Sequence, residues 1–110
     1  EHFSHLKIVE VLSEWRRVLK PSGILRLSVP DFDLLVKIYQ TQPGDISPII
    51  KSLMGGQDYK YNFHYSVFNS TYLTAQLIEA GFKDVRRWEP GASDLSTFSD
   101  WSNEGIKVNG

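Results

Sequence analysis

Arg17-Val18-Leu19-Lys20-Pro21-Ser22-Gly23-Ile24-Leu25-Arg26-Leu27-Ser28-Val29-Pro30-Asp31 is the stretch where the local signals change most sharply. Pro21 disfavours helical geometry at Lys20, and Gly23 permits the turn that follows. Residues 24–29 read as a strand, with Leu25, Leu27 and Val29 on one face and Ile24 adding apolar surface to the other. Pro30 ends that strand because it has no N–H for a sheet ladder. Asp31 then offers a side-chain acceptor to the first amides of a second helix. Helix, short turn, strand, helix is the repeat of an α/β sheet with crossovers. The expected architecture is therefore α/β, a few mostly parallel strands flanked by helices.

Working outward, residues 4–20 form a helix in this reading. Ile8, Val11, Leu12, Trp15, Val18 and Leu19 recur at three- and four-residue spacing, Ser4 stands at the N-cap, and Arg16, Arg17 and Lys20 suit the negative end of the dipole. A second helix is expected over 32–39, with Leu35, Ile38 and Tyr39 inward. Ser47-Pro48 opens a third as cap and first-turn proline, closed by Gly55-Gly56. Aromatic and polar residues alternate over 57–65, which is either a strand with an aromatic face or a loop laid over a pocket. Asn69 caps a helix over 70–80 with Leu73, Leu77 and Ala80 buried, and Gly81 follows as the C′ residue. Residues 82–89 read as an edge strand carrying three basic residues, and 106–108 hint at another.

At 110 residues the chain fits one domain, spanning 1–110, and its mixture of 41% hydrophobic and 23% charged residues reads as globular rather than disordered. A net charge of −1, with the cations scattered, leaves no electrostatic footprint for nucleic acid or an anionic membrane. The absence of cysteine excludes disulfides and thiolate chemistry and fits a cytoplasmic setting. No apolar run reaches membrane-spanning length, so neither nucleic acid nor membrane is an expected partner.

Glu1-His2-Phe3 followed by Arg17-Val18-Leu19-Lys20-Pro21-Ser22-Gly23 and by Val29-Pro30-Asp31 resembles the post-loop half of class I S-adenosylmethionine-dependent methyltransferases, in particular the methyltransferase-11-like families. Gly55-Gly56-Gln57, His64 and Glu79-Ala80-Gly81-Phe82-Lys83-Asp84-Val85 resemble the same group, so the similarity covers about residues 1–89. It implies a partial Rossmann-like fold, the C-terminal part of a methyltransferase domain, and transfer of a methyl group to an O, N or C nucleophile of a small molecule. It implies S-adenosylmethionine as cofactor of the intact parent. The glycine-rich loop and ribose-binding acid of the family have no counterpart here: the eight glycines are dispersed, and no GxGxG-like run precedes a helix. The chain alone is accordingly expected to be inactive, with no cofactor-binding residue assigned to it. A half-sheet would also favour self-association along 24–29. The alternative reading is a non-catalytic binding or oligomerisation module that retains the half-fold.

The residues that could carry chemistry are few. His64, following the glycine pair, is placed as proton acceptor from a substrate hydroxyl or amine, and His2 as a second catalytic residue facing the substrate. Asp31 at the end of the expected strand, and Gln57 and Tyr61 by hydrogen bonding and stacking, are placed as substrate-binding. The plainer readings are a helix cap for Asp31 and packing for the aromatic. Glu1-His2, with His5 one helical turn on, resembles the Glu-His that ubiquinone-pathway O-methyltransferases carry at this place, which implies a metal cluster, but a polar chain start reads the same way, and no metal is assigned.

Overall fold

The computed structural model describes residues 1–87. Among them four helices form: α1 (Ile8–Val18), α2 (Phe32–Thr41), α3 (Ser47–Met54) and α4 (Ser70–Glu79). Helix α1 packs on α4, and α2 on α3. The core lies under the first pair, where Ile8 and Leu12 of α1 meet Phe68 and Ala80. Leu73 and Leu77 of α4 line it as expected from their spacing, together with Trp15 and Phe82.

The caps follow the chemistry of their side chains. Asp31 accepts from the Asp33 amide at 3.1 Å, and Asn69 from the Tyr72 amide at 2.8 Å, as the sequence indicates. Gly81, at φ 101°, takes the left-handed position after α4, and its carbonyl accepts from Arg16 Nε at 3.0 Å. Two expected caps move. Ser4 Oγ accepts from the Leu6 amide at 3.3 Å and closes a separate turn, so α1 begins only at Ile8 behind Lys7. At α3, Ser47 is already helical; the acceptor is Asp45 Oδ1, which receives the Ser47 amide at 3.0 Å and the Ser47 hydroxyl at 2.7 Å.

The expected α/β fold with parallel strands is overturned. No strand forms among the described residues: 24–29 make no ladder, and the one sheet-like contact is an isolated parallel bridge between Asp31 and Phe68. The reason is physical. Alternation of Leu25, Leu27 and Val29 reports that one side of the segment is buried, and all three do pack against the α1–α4 core. Alternation says nothing about what lies in the hydrogen-bonding direction, and a strand exists only where a second backbone runs about 4.8 Å away. No described segment does so, and Ile24, on the other face, is 74% exposed. The run 57–65 is a loop rather than an aromatic-faced strand, with Tyr59, Tyr61 and Tyr65 all exposed. Residues 82–87 form no edge strand; the rest of that expected strand, and the one at 106–108, lie outside the described residues. No described helix is long and apolar enough to cross a membrane.

Candidate functional site

The site grows from the end of α3. Gly55, at φ 85°, ends the helix in a conformation that costs side-chain-bearing residues energy. A Cβ there would run into the Asn62 carbonyl and lie 3.1 Å from the His64 ring, so the returning chain crosses directly over the glycine. The crossing is held by backbone bonds, Gln57 N to Asn62 O at 2.8 Å and His64 N to Met54 O at 3.0 Å. His64 Nδ1 lies 2.8 Å from the Ser52 carbonyl. A helix leaves its last carbonyls without intrahelical partners, and His64 serves two of them in α3.

The chain start lies against the same loop. The Glu1 carbonyl accepts from Tyr65 N at 2.7 Å and Ser66 N at 3.2 Å, and the buried Ser66 hydroxyl donates to the Phe3 carbonyl. His2 Nδ1 stands 3.2 Å from the Phe63 carbonyl. These contacts bring together side chains 63 positions apart: Glu1 Oε1, 3.6 Å from His2 Nε2, is 3.8 Å from His64 Nε2. The two imidazoles meet edge to face, centroids 4.9 Å apart at 84°. His64 is nearly buried, with 10% of its side chain exposed, Glu1 retains 19%, and His2 forms the open side at 44%.

His64 and His2, the two expected catalytic residues, are thus in one cluster, and Glu1 is its third member. His5 is exposed and outside it. The expected substrate-binding residues do not join it by any hydrogen bond, ion pair or ring contact. Asp31 is committed to the α2 cap and to an ion pair with Arg87 at 3.6 Å. Gln57 is left-handed at φ 54°, and its side-chain amide donates to Met54 O at 3.3 Å. Tyr61 is 71% exposed, with Lys60 Nζ 5.4 Å from its ring centroid. Reasoning along the chain missed Glu1 as a partner of His64 and Ser66 as the clamp. The signal that pointed there was the glycine pair, which marks a close backbone crossing.

The described glycines do not form a cradle for S-adenosylmethionine. Gly55 is spent on the 62–64 crossing and Gly81 on the Arg16 contact, Gly23 closes the turn with its N–H 2.7 Å from Lys20 O, and Gly44 faces open space. None stands between a strand and a helix N-terminus, where backbone amides would meet such a ligand. Set against known proteins, the chain matches no family model, no curated protein and no solved structure.

Proposed function

We propose that this chain belongs to an S-adenosylmethionine-dependent methyltransferase and supplies the side chains that act on the small-molecule acceptor. Two things support the reading: the resemblance carried by Glu1-His2-Phe3, Arg17–Gly23 and Glu79–Phe82, and the convergence of Glu1, His2 and His64. The convergence carries it. Because a carbonyl oxygen only accepts, His64 Nδ1 beside Ser52 O bears the ring proton, and Nε2 keeps its lone pair. An acceptor hydroxyl or amine at the open side would pass its proton to that lone pair as its own oxygen or nitrogen turns nucleophilic, and the Glu1 carboxylate would stabilise the imidazolium formed. In this reading the described residues orient the acceptor and move this proton. A cytoplasmic setting and self-association through the face carrying Ile24 belong to the same proposal.

The test is methyl transfer by the full product of the gene, followed as loss of S-adenosylmethionine over a panel of phenols, carboxylates and amines. His64→Gln is expected to cut turnover by about 10²- to 10⁴-fold, the usual worth of a positioned acid–base group, with the melting transition retained. A folded His64→Gln protein with full turnover, or a full gene product that consumes no S-adenosylmethionine, refutes the proposal.

A further inference from the structure

We infer that Glu1, His2 and His64 bind one divalent first-row transition-metal ion, with Zn²⁺ the natural probe. The inference concerns binding alone and stands whether or not methyl transfer is the reaction. Each imidazole directs Nδ1 at a backbone carbonyl, His64 at Ser52 O and His2 at Phe63 O. Both Nδ1 atoms therefore carry the proton, and both Nε2 atoms present lone pairs. One ligand atom from each of the three residues lies within 4.8 Å of the others, and both Nε2 atoms stand within 3.8 Å of the same Glu1 oxygen, so three acceptor groups face each other. Such an arrangement calls for a cation between them.

Distance separates a proton from a metal ion. A proton shared between imidazole and carboxylate draws N and O to about 2.7–2.9 Å. The separations here are 3.6 and 3.8 Å, too long for that bond. An ion bound at about 2.0–2.2 Å to each of three ligand atoms holds them roughly 3.3–3.6 Å apart, between tetrahedral and trigonal angles. The Glu1–His2 edge already has that spacing, and movement of the exposed His2 and of the Glu1 side chain by up to about 1.5 Å closes the other two edges, 3.8 Å and at most 4.8 Å, on the nearly buried His64. Ligating histidines commonly donate their other ring N–H to a backbone carbonyl, which fixes tautomer and orientation, and both rings already do so. Two imidazoles and one carboxylate select a borderline transition ion over Mg²⁺ or Ca²⁺, which favour all-oxygen shells. The open side at His2 leaves a position for an exogenous oxygen or nitrogen ligand.

Isothermal titration of the full 110-residue chain with ZnCl₂, alongside the visible spectrum of a Co²⁺ titration, tests this. One ion per chain is expected, with affinity lowered about tenfold or more by His2→Ala and by Glu1→Gln, neither of which removes a core side chain. His64→Ala should do the same; because it also frees the end of α3, its fold is checked by circular dichroism, and the other two variants decide if it unfolds. His5→Ala should change nothing. Absence of uptake overturns the inference. So does uptake indifferent to His2→Ala and Glu1→Gln.

Discussion

Ser66→Ala probes how the site is assembled. Ser66 is 5% exposed; its hydroxyl donates to the Phe3 carbonyl while its amide and that of Tyr65 donate to the Glu1 carbonyl. Alanine fills the same space less one oxygen, so packing should survive, and the two backbone bonds do not depend on the side chain. What is lost is one hydrogen bond, and the Phe3 carbonyl is left short of a donor. A loss of this kind costs about 1–1.5 kcal/mol. Taken entirely from the docking of residues 1–3, it lowers the docked-to-undocked ratio by about tenfold. Amide hydrogen exchange reads this directly, because the Tyr65 and Ser66 N–H groups are protected by Glu1 O only while the segment is docked. Protection at those two amides should fall by about tenfold, while amides of α1 such as Leu12 keep theirs. Unchanged protection at positions 65 and 66 would refute the clamp. Equal loss throughout would show that Ser66 supports the whole fold and not the site.

Two further outcomes follow from the caps. Asn69→Ala should destabilise by about 1 kcal/mol, because the Tyr72 amide at the start of α4 loses its acceptor; a thermal melt should show a transition lower by roughly 4–8 °C, and no shift would discount the cap. Asp45 is held below the ordinary aspartate range, first by the Ser47 hydroxyl and then by the Ser47 amide. A carboxylate with a depressed folded-state value contributes stability above its unfolded value and loses it as pH falls through the folded one. Melting temperatures of wild type and Asp45→Asn should therefore differ at neutral pH and converge below about pH 4; a gap constant across that range would discount it.

The two halves of the helical cap logic show why some features are readable along the chain. Asp31 and Asn69 cap their helices through acceptors two and three residues away, so composition at one position and its immediate context suffice. At α3 the helix already includes Ser47, whose amide and hydroxyl both go to Asp45, and spacing alone does not rank two acceptors two residues apart. The stripes of α1, except for the exposed Val18, and of α4 were legible for the same local reason: a helix satisfies its own backbone and needs a partner only for its apolar face.

The segment 24–29 is the opposite case. Its alternation correctly indicated that Leu25, Leu27 and Val29 face the core, and the expected sheet nonetheless does not form, because ladder partners are supplied by distant backbone and leave no mark in the segment itself. The site divides in the same way. The sequence by itself determined the helices, two of their caps, the glycine pair that ends α3 and the chemical kind of His2 and His64. Only the tertiary structure decided that Glu1 meets His64 across 63 positions, that His5 stays out, and that Asp31, Gln57 and Tyr61 serve local bonds. Local hydrogen bonding and periodicity act over a few residues and are written in adjacent letters. The meeting of two lone pairs and a carboxylate depends on where a loop crosses a helix end, which exists only once the chain is folded.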